Sequence, residues 1–130
     1  MQSTYDKIQF YKIEQKEKEK IIKKLKKSLT NEKRIQLAII FGSITRRNNI
    51  RDIDLGIHST PTLNFRELLN LNAQIELDLG IPVDLVELTN LHPQLRINIL
   101  KNGTLIKGRK TLLHQLLNQA NTEQIPATPS

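Results

Sequence analysis

The sequence is poor in residues that form covalent cross-links or aromatic sites: it has no cysteine, no tryptophan, two tyrosines and three phenylalanines. The absence of cysteine excludes disulfides, cysteine–zinc sites and a thiol nucleophile. No apolar run approaches the roughly 18–20 residues that a membrane span requires, and the N-terminus is too polar for a signal peptide. We therefore expect a cytoplasmic protein whose core is built mainly from Ile, Leu and Val.

A chain of 130 residues is long enough for one domain with a single core. Its formal net charge of +7 suggests nucleic-acid binding, but the excess charge is confined to one segment. Residues 1–34 hold 11 Lys or Arg against 5 Asp or Glu, whereas residues 35–130 hold 9 against 8. The basic segment mixes Lys with Glu, as a solvated helix does. Nucleic-acid binding is therefore the less favoured interpretation.

Apolar spacing and turn residues predict an α/β chain, more strictly α+β, with strands at 35–41, 52–57, 83–88 and 104–106 and helices at 14–29, 64–79, 90–102 and 110–119. Asn64 with Glu67 predicts a capping box, and Thr89 or Asn90 is the expected cap of the third helix. Residues 58–62 are expected to form a loop. We expect an N-terminal arm or the start of a long helix at 1–17, a folded domain at 18–118 and a disordered tail at 119–130.

The most informative stretch runs from the first strand through a Gly-Ser turn to two aspartates. Gly42 permits a sharp turn and a close approach of the backbone to a ligand, and Ser43 adds a hydroxyl and an N–H suited to a phosphate. After eight intervening residues, Asp52 and Asp54 begin the second strand, and strand alternation puts both on one face. Two adjacent carboxylates repel each other unless a cation lies between them, so the pair predicts a divalent-metal site.

A third carboxylate comes from the third strand, where alternation puts Asp84 on one face and Glu87 on the other. Asp84 is therefore the candidate ligand. A set of oxygen ligands suits Mg²⁺ or Mn²⁺ and is poor for Zn²⁺. The three histidines lie in different predicted elements without metal-ligand spacing: His58, His92 and His114.

The Gly-Ser turn, the eight-residue spacing and the Asp-x-Asp pair together resemble the signature of the nucleotidyltransferase superfamily related to DNA polymerase β, and most closely its minimal nucleotidyltransferase (MNT) branch. The resemblance continues through the strand of Asp84 and the segment 101–106, so it covers roughly residues 18–110. It implies a small mixed sheet with helices packed on one face and the carboxylates at one end. The loop before Asp52 is shorter than in most members, and Arg51 stands where Ser is common.

The resemblance also implies roles for individual residues. Asp52, Asp54 and Asp84 would be the catalytic and metal-binding residues, with two Mg²⁺ ions (or Mn²⁺) held by the first two aspartates and Asp84 helping to activate the acceptor. Gly42 and Ser43 would bind the phosphates of the substrate ATP. Three loop arginines are candidates for triphosphate contacts or for simple solvated charges: Arg46, Arg47 and Arg51.

Small MNT proteins resemble antitoxins that inactivate HEPN ribonuclease toxins by attaching AMP to a tyrosine. The resemblance therefore implies Mg²⁺-dependent transfer of AMP from ATP to a hydroxyl of a HEPN-type partner, with a hetero-oligomer possible. A chain this short has little room for an acceptor domain of its own. Two alternatives stay open: a non-catalytic antitoxin or binding module that acts by contact, and a nucleic-acid-binding accessory protein that uses the basic helix.

Overall fold

The computed structural model describes residues 4–42 and 52–124, with side chains described from 15 to 42 and from 52 to 123. In chain order the elements are α1 (Thr4–Thr30), β1 (Ile35–Phe41), β2 (Ile53–Ser59), α2 (Phe65–Leu79), β3 (Val83–Glu87), a 3₁₀ turn (Leu88–Asn90), α3 (Pro93–Asn102), β4 (Thr104–Lys107) and α4 (Lys110–Gln124). Helix α1 is long but heavily charged. No helix within the described ranges is both long enough and apolar enough to cross a membrane.

The four strands form one sheet in the order β3–β2–β1–β4. Strand β1 is antiparallel to both of its neighbours, β2 and β4, whereas β2 and β3 are parallel. A parallel pair needs a crossover connection, which here contains α2. The predicted α+β fold with a small mixed sheet is confirmed.

The first face of the sheet carries the larger apolar core. Strand alternation directs Ile53, Leu55 and Ile57 of β2 into this core, where all three are fully buried. Helices α1 and α2 supply the buried partners on the other side: Ile21, Leu25, Leu29, Ile75 and Leu79. Burying an aliphatic side chain of this size contributes about 1.5–3 kcal/mol, so these contacts hold both helices on the sheet.

The second face carries a separate apolar cluster in which Leu37 and Ile39 of β1 pack against Leu88, Ile99 and Leu100. Leucines of α4 pack at its edge: Leu112, Leu113, Leu116 and Leu117. The prediction that helices pack on one face of the sheet is correct for α1 and α2. Helices α3 and α4 form a further layer on the opposite face. The physical reason is that β1 is apolar on both sides, so that both of its faces need cover.

Helix α2 has the predicted boundaries because its caps are local. The Asn64 side chain accepts a hydrogen bond from the Glu67 N–H at 2.8 Å, and the Glu67 carboxylate accepts one from the Asn64 N–H at 3.0 Å. Gly80 ends the helix with φ of 75°. Glu67 also forms an ion pair with Arg34, which joins the start of α2 to the residue before β1. The hydrogen bond between the two side chains lowers the pKa of Glu67 and raises the pKa of Arg34.

The structure corrects three predicted boundaries. His58 and Ser59 belong to β2 and not to a loop, because they pair with Leu37 and Ile35 of β1. Helix α3 begins at Pro93 and is capped by His92, whose Nδ1 accepts a hydrogen bond from the N–H of Gln94 at 3.3 Å, while Thr89 and Asn90 lie in the 3₁₀ turn. Helix α4 continues to Gln124, beyond the predicted end at 119, since Arg96 of α3 pairs with Glu123.

Candidate active site

Strand β1 delivers Gly42 to one end of the sheet. The strand ends at Phe41, and Gly42 then adopts φ of 79°, in the left-handed region that favours glycine. A Cβ atom built on Gly42 would lie 2.2 Å from Oδ2 of Asp54. Any larger residue at position 42 would therefore displace that carboxylate. The glycine is required both for the turn and for the space that Asp54 occupies.

Asp54 stands opposite Phe41 in the antiparallel pairing of β1 and β2. Since Ile53 and Leu55 point into the core of the first face, Asp54 points to the second face, where it is half-buried. Asp52 immediately precedes β2 and is exposed to solvent. Residues two apart in an extended chain share a side, as the spacing of the pair predicts.

Asp84 reaches the same region from β3, where the parallel register pairs it directly with Asp54. Its neighbours Val83 and Leu85 are buried in the core of the first face, so Asp84 lies on the second face and is exposed. Glu87 points the other way. It is buried and accepts hydrogen bonds from the Ser59 hydroxyl at 2.6 Å and the Ser59 N–H at 3.2 Å.

The three aspartates are close enough to influence one another electrostatically. Burial raises the pKa of Asp54 above its ordinary value, and the charges of Asp52 and Asp84 raise it further. Even so, residues 4–42 and 52–124 contain no group of three His, Cys, Asp or Glu side chains arranged to hold a metal ion together.

A pocket of about 110 Å³, which we call the α3 pocket, adjoins Gly42 on the second face. The C-terminal half of β1 forms one side of it and α3 the other; its lining residues are Phe41, Gly42, Leu95, Asn98, Ile99, Asn102 and Gly103. The α3 residues were not among the predicted site residues. Leu95, Asn98 and Asn102 belong to no recognisable motif, and only the packing of α3 against β1 brings them to Gly42.

Four of the predicted phosphate-binding residues lie outside the described part of the chain: Ser43, Arg46, Arg47 and Arg51. Their roles therefore stay predictions. The histidines lie in separate elements, with His58 in β2, His92 at the start of α3 and His114 in α4.

A sequence model of the family described as polymerase beta, nucleotidyltransferase matches residues 23–112. The chain belongs to this nucleotidyltransferase family. The matched region contains Gly42, the three aspartates and α3, so the site lies wholly inside the nucleotidyltransferase domain. The predicted membership of the polymerase β-like superfamily is confirmed, and no curated protein sequence matches the chain.

Several solved structures with the same fold are of toxin–antitoxin complexes. One chain, from a toxin–antitoxin crystal structure with AMP-PNP, is 23% identical over 78% of this chain and 85% of that one, with a TM-score of 0.70. A chain of the toxin–antitoxin MntA–HepT is 24% identical, with a TM-score of 0.63 and coverage of 84% and 85%. A chain from the complex of a tri-AMPylated Shewanella oneidensis HEPN toxin with its MNT antitoxin is 24% identical, with a TM-score of 0.62 and coverage of 85% of each chain. At such identities the likeness concerns the fold.

Proposed function

We propose that this nucleotidyltransferase moves AMP from ATP onto a hydroxyl group of a partner protein, and that the partner is a HEPN-type ribonuclease toxin. The observation that carries the proposal is the position of Asp54, which lies against Gly42, opposite Asp84 and two residues from Asp52. Three like charges on one open face are costly unless they serve to bind something positive. Proteins with this fold occur in complexes with AMP-PNP and with an AMPylated HEPN toxin.

The donor atoms fit the metal that such a reaction uses. Mg²⁺ is usually held by one or two carboxylates together with substrate phosphates and water, and not by a cage of protein ligands. Asp52 and Asp54 would hold two Mg²⁺ ions, or Mn²⁺, in the presence of the nucleotide. When bound, the metal would neutralise phosphate charge and lower the pKa of the attacking hydroxyl.

Residues of this chain would accept the proton and contact the phosphates during the transfer. The acceptor oxygen bonds to the α-phosphorus of ATP as the bond between that phosphorus and the pyrophosphate oxygen breaks. The hydroxyl proton passes to the carboxylate of Asp84, which is exposed and therefore accessible to a partner. Gly42 and Ser43 would contact the phosphates, and the triphosphate charge would be balanced by Arg46, Arg47 and Arg51. These loop contacts are inferred from the sequence alone.

A non-catalytic antitoxin that acts by contact is the second candidate, and helix α2 supports it. Phe65, Leu69 and Leu77 are 77%, 54% and 81% exposed, and their spacing forms a row along the outer side of α2. Exposed apolar rows of this kind commonly mark protein-binding surfaces. The row is compatible with either candidate, because an enzyme that modifies a protein must also bind it.

The nucleic-acid alternative has less support. Helix α1 packs on the sheet through Ile21, Leu25 and Leu29, so it has a clear structural task. Four exposed lysines lie between these apolar positions: Lys23, Lys24, Lys26 and Lys27. This distribution is that of the solvated side of an amphipathic helix.

The decisive experiment mixes this protein with a purified HEPN-type partner, ATP and Mg²⁺, and measures the partner's mass and ribonuclease activity. The enzyme should increase the partner's mass by one or more AMP groups and inactivate it, whereas Asp54→Asn should do neither, because the substitution removes a charged ligand at nearly constant volume. Glu19→Gln on α1 makes the same change of a carboxylate to an amide at an exposed position and is the matched control, which should behave as the unmodified protein. Full inactivation of an unmodified partner by the Asp54→Asn variant would establish the contact mechanism instead.

A further inference from the structure

The α3 pocket has apolar walls and a polar end. The half-buried ring of Phe41 lies on the β1 side, and Leu95, which is 44% exposed, lies on the α3 side. Contact with a flat, apolar ring would remove the Leu95 side chain from water, and burial of this apolar surface would favour binding. The walls therefore suit a planar ligand group.

The polar end consists of two amides on consecutive turns of α3. The Asn102 Nδ2 donates a hydrogen bond to Asn98 Oδ1 at 2.6 Å. This bond fixes the orientation of the Asn102 amide and uses one of its two N–H groups. No other hydrogen bond among the described residues engages the Asn102 side chain. Asn102 thus keeps its Oδ1 acceptor and one N–H donor for a ligand.

An acceptor beside a donor is the pattern that pairs with adenine. Asparagine makes a bidentate contact with the N6 donor and the N7 acceptor of adenine, whereas guanine presents two acceptors, N7 and O6, on the same edge. A correctly oriented Asn102 therefore favours adenine over guanine. Asn98 contributes indirectly by holding the orientation.

The α3 side of the pocket is unsuited to the phosphate end of the nucleotide. It lies at the C-terminal turn of α3, where the carbonyl groups and the helix dipole carry partial negative charge. The opposite side of the pocket ends at Gly42, next to the Asp54 carboxylate, where the proposed function places the phosphates. On the α3 side a neutral base is accommodated at lower electrostatic cost than a phosphate, and the aspartates beside Gly42 are near enough for the same nucleotide to span both places.

The geometry points to the α3 pocket as the binding site for the adenine base of ATP, with Asn102 contacting the base edge and Asn98 acting as a positioning residue. This assignment rests on the proposed nucleotidyl transfer and adds the base preference and the residues that decide it. It also makes α3 part of the nucleotide site, although the chemistry takes place at the strand ends.

Calorimetric titration of the full chain with ATP and with GTP, both in Mg²⁺, tests the assignment. We expect ATP to bind at least about tenfold more tightly than GTP. Asn102→Ala should weaken ATP binding by a similar factor, leave GTP binding nearly unchanged and bring the ratio close to one. Asn98→Ala should reduce the ratio, whereas Asn98→Asp keeps an acceptor for Asn102 Nδ2 and should retain the preference. Asn70→Ala, an exposed asparagine on α2, is the control that should leave both affinities unchanged.

Both amides are exposed, so the variants should fold, and their thermal unfolding should match that of the Asn70→Ala protein. An unchanged ATP-to-GTP ratio in Asn102→Ala would overturn the assignment, as would an unmodified protein that binds both nucleotides equally. Weaker transfer to a protein acceptor with unchanged ATP binding would show that the pocket receives the acceptor instead. Loss of ATP binding in Asp54→Asn, with no effect of Asn102→Ala, would leave the proposed function intact and refute only the base site. A protein that binds neither nucleotide would refute both.

Discussion

Strand β2 presents different chemistry to the two faces of the sheet. Ile53, Leu55 and Ile57 are fully buried on the first face, whereas Asp54 is half-buried on the second face near the start of the strand. Gly56, farther along the strand, faces the second side, where Leu88 packs against it so closely that a Cβ atom at position 56 would come within 2.8 Å of the Leu88 side chain. The first face is thus a closed core, and the second leaves the strand ends open. One short strand both anchors the fold and carries the candidate chemistry.

The two carboxylates of β3 differ in the same way. Glu87 is 1% exposed, and Ser59 satisfies it through its hydroxyl and its N–H. Asp84 is exposed and faces Asp54 across the parallel pair. A buried carboxylate that receives hydrogen bonds has a structural explanation. An exposed one that lies beside a second negative charge is in an arrangement that a bound cation would stabilise.

The largest effect on stability should come from the closed face. Ile57→Ala removes a fully buried side chain from the core between β2 and the helices, and we expect the free energy of unfolding to fall by about 2–5 kcal/mol. Chemical denaturation measures the loss. Ile57→Val should cost only about 0.5–1.5 kcal/mol. A loss below 1 kcal/mol for the alanine variant would contradict the description of this face as the main core.

A pair of glycine variants separates backbone strain from the disturbance of the site. Gly42→Ala and Gly80→Ala both place an alanine in the left-handed region, which costs roughly 1–2 kcal/mol in each case. Only the first also forces an atom against the Asp54 carboxylate, because a Cβ on Gly80 meets nothing within 4 Å. The rate of nucleotidyl transfer should therefore fall about 100-fold in Gly42→Ala and stay nearly unchanged in Gly80→Ala. Equal transfer rates in the two variants would show that Gly42 is not part of the active site.

The smallest effect should be a gain in stability from Asp54→Asn near neutral pH. The pKa of Asp54 is raised in the folded protein, so the folded state binds this proton more tightly than the unfolded state does. Its contribution to stability is therefore present in acid, below the unfolded pKa, and is lost as the pH rises through the folded pKa. An asparagine side chain at this position carries no charge at any pH, so the stability of the variant does not fall as the pH rises through this pKa. The variant should melt slightly higher than the unmodified protein at neutral pH, and the difference should vanish in acid.

The matching measurement adds Mg²⁺ and ATP. A cation near Asp54 offsets the repulsion from Asp52 and Asp84, so the unmodified protein should gain thermal stability from the addition. The Asp54→Asn variant should gain little. A variant that is less stable than the unmodified protein at neutral pH would show that the three charges are not in conflict in the folded state.

Local patterns in the sequence were enough to predict much of the fold. The first strand at 35–41, the capping box of Asn64 with Glu67 and the end of α2 at Gly80 are all found as predicted. Each depends on residues within a few positions of one another. Alternation along β2 and β3 likewise predicted which side Asp54, Asp84 and Glu87 would take. The family resemblance rested on the same short stretches.

Contacts between distant parts of the chain decided the rest. The Asp54–Asp84 register, the Ser59–Glu87 hydrogen bonds and the approach of Asn102 to Gly42 each join residues some 28 to 60 positions apart in the sequence. No periodicity or cap encodes such distances, because they result from how the helices pack on both faces of the sheet. The sequence alone therefore determined which residues could carry the chemistry. Tertiary packing decided that Asp54 lies between two other charges, and that α3 closes a pocket beside it.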